Sequence, residues 1–262
     1  MLRAVLFDLD DTLMPDEAAA DAALVATGKL AAEWHRILPV ELKDAVRCIA
    51  RRIWRGHPIV AAYHGSYDIS SWEALSARFE DSDEETRQLR AWAPAYRQEV
   101  WSSALAEFGI ADPLLADLLA VTYAAERRAR YQPYPDALPL LDQLSREFRL
   151  GLVTNGPTDL QQDKLKCSGL EDRFSAVVIS RAVGTRKPDP RIFHLALDQL
   201  NVLPAEAVYV GDSLSKDVAG AKAAGMKAVW ANYDARLPQE GVVPDAVISS
   251  LLELPAALKL IV

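Results

Sequence analysis

The sequence predicts an α/β fold: a mostly parallel sheet covered by helices, with an all-helical insertion after the first strand. Three observations carry this prediction. The apolar run Ala4 to Phe7 stops abruptly at Asp8-Leu9-Asp10-Asp11-Thr12, the pattern of a buried strand ending at a polar sheet edge. From Arg149 onward, short apolar runs alternate with helix-patterned segments, which implies parallel βαβ units. Between residues 16 and 129 the chain is rich in Ala, Leu, Glu and Arg with few strand signals, and about 115 residues are too many for a loop. The expected organisation is therefore a core of residues 1–14 and 131–262 with a helical domain, 15–130, inserted into it.

The bulk composition fits this class. The chain has 262 residues, 50% hydrophobic and 25% charged, enough for a large core. Its net charge of −8 argues against nucleic acid or an anionic membrane surface as the main partner, because both need a positive footprint. The opening Met1-Leu2-Arg3-Ala4 has no signal-peptide pattern, and no apolar stretch is long enough to span a bilayer, so a cytoplasmic protein is expected. Cys48 and Cys167 lie in no ligand spacing and are expected as buried free thiols.

Taken in order, Asp16 to Arg36 predicts a helix ended by Pro39, and Glu41 to Arg55 a second, with Leu42, Ala45, Val46, Ile49 and Ile53 inward. An irregular stretch, 56–69, precedes a third helix from Ser70 or Ser71. Glu84 to Phe108 reads as two helical pieces broken at Pro94. Asp112-Pro113 supplies an N-cap and a first helical residue for a helix to about Arg130. Pro135-Asp136 opens a helix to Glu147. Strands are then expected at Arg149–Thr154, Ala176–Ser180, Ala207–Gly211, Lys227–Ala231 and Ala246–Ser249, and helices at Thr158–Ser168, Pro190–Leu200 and Ser213–Ala224.

In a parallel sheet all carboxyl ends share one edge, where open α/β sheets hold ligands. Strand alternation puts Asp8 and Asp10 on one face there, with Leu9 on the other. The second strand delivers Thr154, Asn155 and Gly156, a hydroxyl and amides suited to a phosphate. Lys187, just before Asp189-Pro190, can hold an ammonium near the edge. Gly211-Asp212-Ser213 and Asp217 add two more acids. Two carboxylates ~4 Å apart repel by roughly 4 kcal/mol at an effective dielectric near 20. Such a cluster must bind a cation or hold a proton, and oxygen ligands without His or Cys point to Mg²⁺.

These four motifs in order, Asp8-Leu9-Asp10-Asp11-Thr12, Val-Thr154-Asn, Arg-Lys187-Pro-Asp-Pro and Gly-Asp212-Ser to Asp217, resemble the haloacid dehalogenase-like (HAD) hydrolase superfamily. The resemblance implies a Rossmann-like three-layer core, and the insertion looks like the family's α-helical cap. Asp11 stands where Gly is common, and Arg181 where an acid often precedes the lysine motif. By resemblance, Asp8 would be the nucleophile and Asp10 the acid that protonates the leaving alcohol and then activates water. Asp8, the Asp10 carbonyl, Asp212 and Asp217 would hold Mg²⁺, while Thr154, Asn155 and Lys187 would bind the phosphoryl oxygens. An acid at position 10 favours phosphate esters over dehalogenation, since a halide leaves without a proton. The expected function is a Mg²⁺-dependent phosphatase acting on a small phosphorylated metabolite through an aspartyl-phosphate, as a monomer or homodimer. A phosphomutase on the same scaffold and a non-catalytic binding protein are the alternatives.

Five of the six tryptophans, Trp34, Trp54, Trp72, Trp92 and Trp101, lie in the insertion and read as its core. The irregular stretch with His57, Tyr63, His64 and Tyr67 is the candidate for substrate specificity. Arg51, Arg52 and Arg55 read as a solvated helix face. Hinges are expected near Met14-Pro15 and from Tyr131 to Pro135.

Overall fold

The computed structural model describes residues 1–62, 69–238 and 241–261. Tyr63, His64 and Tyr67 lie outside the described residues. The fold is α/β and Rossmann-like. Six strands form one sheet: β1 (Ala4–Phe7), β2 (Arg149–Thr154), β3 (Ala176–Ile179), β4 (Ala207–Gly211), β5 (Lys227–Ala231) and β6 (Ala246–Ile248). Their spatial order is β3-β2-β1-β4-β5-β6, and every neighbouring pair is parallel. β1 is central, and all four of its residues are fully buried, which is why its sequence is apolar without alternation. The register sets Leu6 beside Gly151 of β2 and Tyr209 of β4.

Among the described residues the helices are α1 (Asp16–Ala32), α2 (Pro39–Gly56), α3 (Pro58–Ala62), α4 (Ser71–Ala74), α5 (Glu84–Ala106), α6 (Pro113–Ala129), α7 (Ala137–Leu144), α8 (Thr158–Ser168), α9 (Ser180–Val183), α10 (Pro190–Leu200), α11 (Ala219–Ala223) and α12 (Leu254–Leu260). The chain divides into two compact units. The first comprises 1–15, 132–155 and 168 to the C-terminal end, and contains the whole sheet. The second comprises 16–131 together with 156–167. The unit boundaries fall after Pro15 and Tyr131, and most of α8 groups with the helical unit.

In the sheet unit, α10 packs on β2 and β3, and α11 on β5. One continuous apolar cluster lies on that side, built from Leu6, Val153, Val178, Ile192, Phe193, Leu197, Tyr209, Val218, Ala221 and Trp230 among others. In the helical unit, α1 packs on α2, α2 on α5, α5 on α6 and α6 on α1, closing a four-helix arrangement. Asp112 caps α6 by accepting from Leu115 N at 3.0 Å, with Pro113 as first helical residue, as expected. A charge cluster is buried in this unit. Asp16 Oδ1 accepts from Arg127 at 2.7 Å and lies 3.0 Å from Lys164 Nζ, which also reaches Glu73 at 2.7 Å. Both cations are fully buried, and together they hold the Asp16 carboxyl at about 2 against the opposing effect of its own burial.

Several local expectations fail. α1 stops at Ala32, and Pro39 starts α2 instead of ending α1, because a Pro is well accommodated in a first helical turn. The third helix is only Ser71–Ala74, closed by a Ser70–Glu73 capping box. α5 runs unbroken through Pro94, since Leu89, Ala93, Tyr96 and Val100 on either side bury a common face. Both cysteines are exposed. Cys48 lies opposite the buried Leu42, Ala45, Val46 and Ile49 stripe, so helical phase outweighs the thiol's preference for burial. Trp54 and Trp101 are buried, Trp72 and Trp92 half-buried, and Trp34 is 58% exposed, so the tryptophans serve the core only in part. Among the described residues, no helix is long and apolar enough to cross a membrane.

Candidate active site

Asp8 follows β1 directly and shares its face with Ala4 and Leu6. Its Oδ1 accepts from Leu9 N at 2.8 Å and forms an ion pair with Lys187 Nζ at 2.7 Å. Lys187 is 2% exposed and reaches Asp217 Oδ1 at the same 2.7 Å, so one ammonium bridges two carboxylates. Its backbone is fixed separately. The Asn155 side chain accepts from Lys187 N at 2.9 Å and donates to Lys187 O at 3.2 Å. The side chain of Asn155 is thus a two-point clamp on the lysine peptide. Thr154 closes β2 and is 1% exposed, on the strand adjoining β1.

Asp217 reaches the site through a helical turn of unusual width. Asp217 N and Val218 N both bond to Ser213 O, at 2.9 and 3.2 Å, so Leu214–Val218 forms a π-type turn ahead of α11. The Asp217 carboxylate turns back and accepts from Ser213 N at 2.9 Å. It occupies the space above Gly211, where an added Cβ would lie 2.5 Å from Asp217 Oδ2. Glycine is required there by close approach rather than by backbone conformation.

Asp8, Asp212 and Asp217 each present one carboxylate oxygen, and the three atoms lie within 4.8 Å of one another. At that spacing each ionised pair repels by about 3 kcal/mol at an effective dielectric near 20. Burial pushes Asp8 well above the usual carboxylate range, against the pull of Lys187 and with the help of Asp217, Asp212 and Asp10. Asp212 is raised by burial and by Asp217, with Arg236 opposing. Burial would lower the Lys187 ammonium, but Asp217 and Asp8 outweigh it and hold it well above its ordinary value. One lysine cannot neutralise three acids. The all-oxygen donor set and the residual negative charge fit a hard divalent cation. Asp10 is half-buried, sits at a lone parallel bridge with Met14, and adds its charge to the field at Asp8.

The sequence does not single out three residues of this neighbourhood. Tyr209 accepts from Lys187 Nζ at 3.1 Å and donates to Val153 O at 2.7 Å. Arg236, 47% exposed, donates to Asp212 Oδ2 and to its carbonyl, both at 3.0 Å, and Trp230 Nε1 donates to the same carbonyl at 2.9 Å. Only Tyr209 leaves a sequence signal: a phenol inside Ala-Val-Tyr-Val-Gly must find a buried partner. In the helical unit, Arg51, Arg52 and Arg55 are exposed and line an open groove with Glu17, Asp21 and Lys43. His57 stacks on Trp92 with ring centroids 3.7 Å apart.

Comparison with known proteins agrees with this arrangement. The family model described as haloacid dehalogenase-like hydrolase matches residues 2–225. The phosphoserine phosphatase of Thermus thermophilus is 38% identical over 254 residues, covering 97% of this chain and 98% of its own. The glyceraldehyde 3-phosphate phosphatase of Methanopyrus kandleri is 34% identical over 230 residues, covering 87% and 83%. Among solved structures, a 2-haloacid dehalogenase from Pseudomonas syringae superposes with a TM-score of 0.59 at 29% identity, covering 99% of each chain. The chain is therefore an enzyme whose homologues include phosphatases, and it belongs to the haloacid dehalogenase-like hydrolases.

Proposed function

We propose that this chain is a Mg²⁺-dependent phosphatase that hydrolyses a small phosphate monoester through an aspartyl-phosphate on Asp8. The observation that carries the reading is the Lys187 ammonium bridging Asp8 and Asp217 at 2.7 Å each, with Asp212 beside them. It supplies a buried carboxylate nucleophile, a fixed cation for the transferring group and an acidic cluster in one place. The printed names of the two phosphatase relatives support the ester chemistry. Phosphoserine and glyceraldehyde 3-phosphate are both three-carbon phosphates of a primary alcohol, and we propose the same substrate class here.

In this reading an Asp8 oxygen attacks phosphorus and the bond to the ester oxygen breaks. Asp10 gives its proton to the departing alkoxide and then takes one from the water that attacks the acyl phosphate, restoring Asp8 and releasing phosphate. Lys187 and the Thr154 hydroxyl, with the main chain of Asn155, neutralise the phosphoryl oxygens. Asp8, Asp212, Asp217 and the Asp10 carbonyl would hold the Mg²⁺, which supplies further charge neutralisation when bound. The helical unit, inserted in sequence directly after Asp8 and Asp10, would serve as a cap. Both cysteines are free, which suits a cytoplasmic setting. The residues invoked come from a single chain, so either a monomer or a homodimer would suffice.

The test is phosphate release from p-nitrophenyl phosphate, phosphoserine and glyceraldehyde 3-phosphate, with and without Mg²⁺. Turnover that needs Mg²⁺ and disappears in Asp8→Asn is expected. An inert wild type, or an isomerised ester with little free phosphate, would refute the proposal.

A further inference from the structure

The Lys187 ammonium forms ion pairs with Asp8 Oδ1 and Asp217 Oδ1, each at 2.7 Å, and donates a hydrogen bond to a third oxygen, Tyr209 Oη, at 3.1 Å. The third is a neutral oxygen at the bottom of the site. Tyr209 belongs to β4 and lies in register with Leu6 of β1, two residues before Asp8 on the same sheet face. The next position of β4 on that face is Gly211, where Asp217 fills the space a side chain would take. The phenol therefore stands one layer beneath the two carboxylates. Its ring is fully buried, with Phe193 packed edge-on at 4.9 Å. Its own proton goes to Val153 O at 2.7 Å, on the strand that ends in Thr154. With that proton committed, only a lone pair faces the lysine.

We propose that Tyr209 is a positioning residue that tethers the tip of Lys187, as Asn155 clamps its backbone. The two tethers do different work. Asn155 sets where the lysine chain starts, at its peptide nitrogen and carbonyl. Tyr209 sets where the ammonium ends. A lysine side chain has four rotatable bonds, and two carboxylates alone would let the ammonium slide between them. The hydrogen bond to the third oxygen, set below the other two, fixes the ammonium in three dimensions. This inference rests on the phosphatase reading in one respect, which is what happens to those bonds in turnover. As Asp8 becomes an acyl phosphate it loses its carboxylate charge, the ester oxygen leaves with the electron pair of the broken bond, and the transferred phosphoryl group brings its own negative oxygens to Asp8. The N–H of Lys187 that faced Asp8 is then free to turn to those oxygens, while Asp217 and Tyr209 keep the ammonium in place. Preorganised donors are worth most when they need not reorganise at the moment of reaction.

The decisive variant is Tyr209→Phe, which keeps the ring and removes the hydroxyl. Two readouts separate the tether from the phosphatase reading. The first is nuclear magnetic resonance of ¹⁵N-lysine-labelled protein. A buried ammonium held by two ion pairs and a hydrogen bond should give a slowly exchanging Nζ signal, assigned by its loss in Lys187→Met. The signal should broaden or disappear in Tyr209→Phe, and its persistence unchanged would overturn the proposal even if no substrate is ever turned over. The second is steady-state kinetics on p-nitrophenyl phosphate. Tyr209→Phe should lower kcat about 10- to 100-fold with KM within about twofold, as expected for a lost bond to a charged group that matters in the transition state. In the Lys187→Met background the same change should cost less than about twofold further. Losses that multiply across the two variants would show that Tyr209 does not act through Lys187. A kcat of Tyr209→Phe equal to wild type would also overturn it. An inert wild type would refute the phosphatase reading and leave the resonance experiment to decide the tether.

Discussion

Asp16→Asn tests whether the helical unit depends on its buried ions. Asp16 accepts from Arg127 and lies 3.0 Å from Lys164, both fully buried. Its carboxyl sits at about 2 against an ordinary 3.8. That depression corresponds to roughly 2 kcal/mol of folding stability. Because the folded value is depressed, that stability is fully present above pH ~4 and is lost as pH falls through ~2, with about half remaining near pH 3. The asparagine removes the charge and also leaves two buried cations with Glu73 as their remaining carboxylate in the cluster, so the total loss at pH 7 should reach ~3–5 kcal/mol. Urea unfolding followed by tryptophan fluorescence suits the measurement, since five of the six tryptophans lie in the insertion. The wild-type and variant curves should converge as pH is lowered from 5 to 2. A loss at pH 7 under about 1 kcal/mol, or a gap that stays constant over that pH range, would refute the reasoning.

Three further outcomes are expected. Gly211→Ala places a Cβ against the Asp217 carboxylate; calorimetric Mg²⁺ affinity and turnover should both fall sharply, with ~1–3 kcal/mol lost from stability in denaturant melts. Asp10→Asn should lose more activity on alkyl than on aryl phosphates, because only the poorer leaving group needs a proton; equal losses in parallel kcat/KM assays would remove its role as general acid. Arg236→Ala frees Asp212 Oδ2 from a competing cation, so Mg²⁺ should bind a few-fold more tightly by calorimetry, and unchanged or weaker binding would show that Arg236 does not compete.

The sheet was legible because β-strand burial writes itself into composition. Arg149–Thr154, Ala207–Gly211 and Lys227–Ala231 are bounded in the structure where their apolar runs begin and end. Thr158–Ser168 and Pro190–Leu200 carry their own stop and start signals and match as well. The convergence of Asp8, Lys187, Asp212 and Asp217 followed from strand parity and from the shared carboxyl edge of parallel strands. What the sequence hides depends on tertiary approach. Asn155 stands at a strand end, and nothing local in the sequence announces that its side chain bonds the Lys187 peptide across the sheet edge. Arg236 reaches Asp212 from 24 residues away along the chain, and no local pattern announces it. The π-type turn that aims Asp217 looks like an ordinary helix start, because one extra residue in a turn leaves the periodicity almost unchanged. Asp11 shows the reverse case: its φ of +55° explains why Gly is common at that position, and Asp is among the few residues that tolerate it.

Covalent phosphorylation of Asp8 is the most direct test of the account. Substrate and Mg²⁺ mixed with enzyme should be quenched in acid within the first turnover and the digest analysed by mass spectrometry. The mass of one phosphoryl group is expected on the peptide carrying Asp8, localised to that carboxylate and absent from Asp8→Asn. A peptide that stays unmodified through turnover, or a phosphoryl group on any other residue, would contradict it.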